Sequence, residues 1–128
     1  MKTVAFDDHR QTTNLTDNLE EMLPVLIQKL NNKTRTLIQI SLPIGELFVT
    51  GGNGDRVAVD FSSYTYGHET GIAVALIDPS YSEDSEDIML TTMGQADNRP
   101  LYLTASKMKA IEVALYFLRN DRLPAGET

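Results

Sequence analysis

The chain contains no cysteine, which removes disulfides, thiolate metal sites and cysteine nucleophiles together. It has only two histidines, His9 and His68, far apart in polar stretches and without a second histidine at metal-ligand spacing. Basic residues are scarce: 11 Lys and Arg stand against 18 Asp and Glu, giving a formal charge of -7 and a pI near 4.7. Such a surface is poorly suited to a phosphate backbone, which needs clustered Lys and Arg. It suits a basic partner, or a role in the place of a nucleic acid. Apolar runs stay far short of the roughly 20 residues of a membrane helix. At the start, Lys2, Asp7, Asp8 and Arg10 interrupt any secretory apolar segment. The expectation is a cytoplasmic protein without cofactor, metal, membrane contact or direct nucleic-acid binding.

What is present is ordinary globular material. Hydrophobic residues make up 41% and charged residues 23% of 128 residues. That is enough for one core, so the chain reads as a single domain, 1–128. Residues 1–15 are polar and without a clear period, a loosely held arm or a short first strand, and 125–128 form a tail. Leu19, Met22, Leu23, Leu26, Ile27 and Leu30 then mark the stripe of an amphipathic helix. Asp17 and Glu20 have capping-box spacing, Lys29 and Lys33 suit the helix end, and Pro24 kinks or restarts the helix.

From Arg35 to Met93 the pattern is strand after strand. Thr36–Leu42 and Glu46–Thr50 precede the Gly51–Asp55 turn, whose Asn53-Gly54 pair favours a tight hairpin. Arg56–Tyr66 alternates, with Val57, Val59 and Phe61 on one side and Asp60, Tyr64 and Tyr66 on the other. Ile72–Ile77 is apolar on both faces, which predicts a central, covered strand; Ile88–Met93 is a weaker strand and Gly94–Pro100 a loop. A last helix, capped by Thr104 or Ser106, runs to about Asn120 with Met108, Ile111, Leu115 and Leu118 inward and Ala114 and Phe117 beside them. The predicted fold is α+β: an antiparallel sheet of about five strands with an N-terminal and a C-terminal helix packed on one face.

Few residues form a catalytic pattern. His68-Glu69 beside Asp60 could act as an acid–base pair or be a solvated turn. The Gly51–Gly54 cluster lacks the Lys-Ser/Thr and helix of a phosphate-binding loop, and Ser62-Ser63 lacks the context of a nucleophile elbow. A zinc deaminase is excluded, since that site needs cysteine ligands. One stretch stands out. Asp78, Glu83, Asp84, Glu86, Asp87 and Asp97 lie in a segment with no Lys or Arg, together with Ser80-Tyr81-Ser82. A solvated loop, a calcium loop and a binding surface are the three readings, and the twelve-residue calcium pattern with its central Gly is missing. Clustered carboxylates with a tyrosine steer and seat a basic partner. Tyr64 and Tyr66 belong to the same question: a helix covers them, or they stand on an open sheet surface.

The run Leu103-Thr104-Ala105-Ser106-Lys107-Met108 through Tyr116-Phe117-Leu118-Arg119-Asn120-Asp121-Arg122-Leu123-Pro124 resembles the end of small bacterial immunity proteins. These belong to the family associated with polymorphic toxins, including secreted deaminase toxins. The resemblance extends back to about Arg35, through the order of strands. It implies a non-enzymatic inhibitor, monomeric when free, that binds one cognate toxin and occludes its active or substrate site. Tyr81, Glu83, Asp84, Glu86 and Asp87 are the candidate toxin-binding residues, with Tyr64 and Tyr66 beside them. Two alternatives remain: an acidic secretion chaperone that dimerises around an extended peptide, and a small hydrolase using Asp60, His68 and Glu69.

Overall fold

The computed structural model describes residues 2–63 and 73–124. Its elements are β1 (Thr3–Asp8), β2 (Gln11–Leu15), α1 (Leu19–Gln28), β3 (Leu37–Leu42), β4 (Gly45–Asn53), β5 (Arg56–Ser63), β6 (Ala73–Ala75), β7 (Asp87–Thr92), β8 (Gln95–Pro100), β9 (Ala105–Ser106) and α2 (Lys107–Asn120). The main sheet runs β2-β1-β3-β4-β5-β6, with β9 also on β5, and every pairing is antiparallel. β7 and β8 form a separate two-stranded unit.

Strand alternation divides the sheet into two unlike faces. Val4 pairs with Ile40, Ile38 with Val49, Leu47 with Phe61 and Val49 with Val59, so their side chains share one face. Against it pack Leu23, Leu26 and Ile27 of α1, and Ala110, Val113, Ala114, Phe117 and Leu118 of α2. Phe117 meets Phe61 edge-on, with ring centroids 5.4 Å apart. The two helices are therefore on one face of an antiparallel sheet, the α+β arrangement that the patterning predicts. On the other face, Ala5, Gln39, Phe48 and Asp60 form a mixed polar and apolar row.

Several local expectations are corrected. Of the two readings of the first fifteen residues, the strand holds and the loose arm does not: β1 and β2 form a hairpin at the β2 end of the sheet order, turning at His9 and Arg10, both at positive φ. Gly94–Pro100 is not a loop, because Gln95–Pro100 pairs along the whole of β7. Its residues are polar since most of them face solvent, so no apolar alternation marks the strand. The short apolar strand β6 lies at the end of the sheet order, not in its centre, and Ile77 just beyond it is 49% exposed.

The helix ends also differ. Asp17 and Glu20 make no capping box; Asn18 is the N-cap of α1 in a left-handed conformation, without a side-chain cap bond. Pro24 sits within the single helix Leu19–Gln28. Instead of a lysine of α1, Lys107 serves its C-terminal end, donating from Nζ to the carbonyls of Gln28 (3.0 Å) and Leu30 (2.7 Å). Ser106 is the N-cap of α2, its Oγ accepting from Lys109 N at 3.1 Å. Met108 is 76% exposed, because the buried stripe of α2 runs through Ala110, Val113, Ala114, Phe117 and Leu118, and Met108 projects from the other side of the helix.

The candidate functional site: an anchored acidic loop and the hairpin behind it

The acidic stretch leaves the sheet after Leu76 and is tied down before it enters β7. Arg56, the first residue of β5, is the central tie. Its Nη2 donates to Asp78 Oδ2 at 2.7 Å, and its Nε and Nη2 donate to Thr104 Oγ1 at 3.0 and 2.8 Å. Its guanidinium carbon also lies 5.3 Å from the centroid of the Tyr81 ring, a cation–π contact. One buried-side arginine thus fixes both the root of the loop and its tyrosine.

Backbone and hydroxyl bonds fix the rest. Asp78 N donates to Tyr102 O (2.8 Å), Leu101 N to Glu86 O (3.0 Å) and Tyr102 N to Ser85 Oγ (3.1 Å), so the loop is laced to the 3₁₀ turn Leu101–Leu103. Asp78 Oδ1 accepts from Ser80 N at 2.9 Å and from Ser80 Oγ at 2.5 Å. The Ser80 hydroxyl is the main reason the Asp78 carboxyl is held below the ordinary range; burial opposes that shift, and Ser80 N–H and Arg56 add to it. At the tip, Ser82 Oγ donates to Asp84 Oδ1 at 2.5 Å, which lowers the pKa of that fully exposed carboxyl.

The predicted binding residues fall into three groups. Tyr81, Glu83, Asp84, Glu86 and Asp87 are all exposed on this loop and the start of β7. None of the four carboxylates has a cationic partner among the described residues. Tyr64 and Tyr66 lie outside the described residues, as do His68 and Glu69. Asp60 is drawn away from acid–base work: Arg99 grips it with two bonds, Nη1 to Oδ2 at 3.0 Å and Nη2 to Oδ1 at 2.6 Å. His9 sits on the β1–β2 turn with Nδ1 2.7 Å from Asp8 Oδ1, exposed and remote in sequence from the loop. Among the described residues no group of three or more His, Cys, Asp and Glu is placed to hold a metal ion.

Behind the loop, the β7–β8 hairpin covers part of the mixed sheet face. Polar groups hold it there. Asn32, at φ 65, accepts from Thr91 N at 2.6 Å and donates to Met89 O at 3.3 Å, so its amide pairs with β7 as a strand would. Asn53 Nδ2 donates to the same Met89 O at 2.9 Å. At the hairpin turn, Met93 N donates to Thr36 Oγ1 at 2.9 Å, and that hydroxyl donates to the buried Asp7 at 2.5 Å. Asp7 also accepts from Thr36 N (2.6 Å) and Leu37 N (2.9 Å). Gly51 makes room for the apolar contact: it has φ +95, and a Cβ there would lie 2.7 Å from Leu90 Cδ2.

Two grooves flank this unit. One, of about 600 Å³, opens at the root of the loop beside Ile77, Pro79, Arg56 and Ser106. The other, of about 360 Å³, lies between the sheet and the hairpin, with Leu37, Phe48 and Leu90 among its walls. Arg56 and Arg99, which orient everything here, were not singled out from sequence. Their main side-chain partners are distant in sequence: Arg56 reaches Asp78 and Thr104, and Arg99 reaches Asp60, only once the chain is folded. No protein-family model matches this chain, and no curated protein matches it. No helix among the described residues is long and apolar enough to cross a membrane.

Proposed function

We propose that this protein is an immunity protein: it binds a cognate secreted toxin and occludes the toxin's active or substrate site, without catalysing a reaction. The observation that carries the reading is the anchored acidic loop. Four exposed carboxylates that pair with no cation among the described residues, and one exposed tyrosine, sit on a loop held in place by Arg56 and by the backbone bonds to residues 101–102. Unpaired charges on a fixed frame retain their full field for a partner, and a fixed frame loses little entropy when it binds. Such a surface is complementary to a basic cleft, the kind that admits a nucleic acid, and a deaminase toxin is one candidate owner of such a cleft. The resemblance of the 103–124 run to immunity proteins points to the same class.

The test is binding to the toxic domain encoded beside this gene. The wild-type protein should bind tightly and abolish the toxicity. Replacing Glu83, Asp84, Glu86 and Asp87 by alanine should slow association by at least about tenfold at low salt, with the gap narrowing as salt rises. Unchanged affinity in the quadruple variant would remove the loop from the interface. Absence of binding by the wild-type protein would remove the proposal.

A further inference from the structure

We infer that the groove beneath the β7–β8 hairpin is a socket for a cationic side chain of the partner, a lysine laid stem-first along the sheet. This rests on the immunity reading for the identity of the partner, but its chemistry comes from the groove itself. The alternation of the hairpin sets Leu90 opposite Asp97 on the side that faces the sheet. Leu90 is buried, and with Leu37 and Phe48 it gives the groove apolar walls. Asp97 lines the same groove, remains exposed, and has no hydrogen bond or ion pair among the described residues.

The groove's own cation does not compensate Asp97. Arg99 spends both terminal nitrogens on Asp60 and its Nε on Leu103 O at 2.7 Å. That leaves one exposed carboxylate on the lining of a partly apolar slot about 360 Å³ in volume, with the hydroxyl-bearing Thr50 and Thr92 beside it. A lysine matches both parts: its methylenes cover carbon while its ammonium presents three donors to oxygen acceptors. An aliphatic side chain would leave Asp97 unpaired, and an acidic one would oppose it. The slot is continuous in chain with the acidic loop, since Asp87 ends the loop and begins β7.

The test uses the free protein and Nα-acetyl-lysine methylamide, followed by amide chemical shifts. Saturable shifts at Phe48, Thr50, Leu90 and Asp97 are expected. Asp97→Asn should weaken the interaction about fivefold, the scale of one partly exposed ion pair. The matching norleucine compound, which keeps the stem and lacks the charge, should bind more weakly than the lysine compound by a similar factor. Glu21→Gln, on the outer side of α1, should leave the lysine shifts unchanged. Equal binding of the norleucine compound, equal binding by Asp97→Asn, or no shifts at the groove would each overturn the socket. Because no toxin is present, such a failure leaves the immunity reading to its own test; loss of toxin binding with lysine binding intact would count against that reading alone.

Discussion

Where the helices meet the sheet, Leu23, Ile27, Val113 and Phe117 bring carbon against Ile38, Ile40, Val49 and Val59, and all eight side chains are buried. Where the β7–β8 hairpin meets the opposite face, Leu90 is its one buried apolar side chain. The remaining ties are Asn32, Asn53, Thr36 and the Arg99–Asp60 pair. Apolar burial is strong and indifferent to direction; hydrogen bonds contribute less each, yet set direction closely. The helix face therefore supplies stability, and the hairpin face supplies orientation. The difference matters for function, because the acidic loop belongs to the hairpin side and needs a defined position more than it needs a deep core.

The largest effect that would expose this division is Phe117→Ala. The ring is fully buried against Phe61, and its loss should destabilise the fold by about 3–5 kcal/mol. Chemical denaturation followed by circular dichroism reads this directly. Asp7→Ala comes next, at about 2–4 kcal/mol, since it strands the donors of Thr36 N, Leu37 N and Thr36 Oγ1 near the hairpin turn. If Asp7→Ala were harmless while Phe117→Ala was severe, polar ties would have no part in holding the hairpin side.

How far the sequence alone reveals this plan follows from the same contrast. The helix face is readable because its side chains are apolar and periodic: Ile38/Ile40/Leu42, Val57/Val59/Phe61 and Leu23/Leu26/Ile27 announce their elements. In α2 the expected stripe is right at Ala114, Phe117 and Leu118 and wrong at Met108, because the buried face runs through Ala110 and Val113 instead. The hairpin side is hardly readable. β8 carries Gln95, Asp97, Asn98 and Arg99, and the hydrogen bonds that make it a strand come from β7 rather than from any local preference. Asn32 acts on β7 across 57 and 59 positions of sequence, and such an interaction leaves no periodic trace. The acidic loop stood out by composition, but its rigidity did not, because Arg56 reaches it only through the fold.

Smaller perturbations separate the two sides more finely. Gly51→Ala places a Cβ against Leu90 and strains a backbone at φ +95, so a loss of about 2 kcal/mol is expected. Amide exchange should quicken in β7 and β8 well before the amides of β3 and β5 change. Arg99→Met should destabilise by about 1 kcal/mol, the scale of a bidentate pair in partial contact with water. Acid probes the root of the loop. The folded pKa of Asp78 is lowered from 3.8, chiefly by Ser80, so its contribution is complete above that value and is lost as pH falls through the depressed one. Exchange of the Ser80 and Tyr81 amides should therefore rise below pH 3.8 in the wild type, and that step should vanish in Asp78→Asn.

The smallest expected effect on stability is also the most informative about function. Replacing Glu83, Asp84, Glu86 and Asp87 by alanine removes four exposed carboxylates that pair with no cation among the described residues. The change in unfolding free energy should stay within about 0.5 kcal/mol, and relief of mutual repulsion favours a slight gain. The anchor bonds of Asp78, Ser85 and the Glu86 carbonyl survive these substitutions, so amide exchange across the loop should be preserved. A large loss of stability would mean that the charges serve the fold, and the contrast between a stabilising face and an orienting face would fail at its most exposed point. A neutral result leaves a cluster of like charges that folding does not use, mounted on a frame built to hold it still. Those charges then remain available to a partner, and affinity measured on the same variant reads that use with stability held constant.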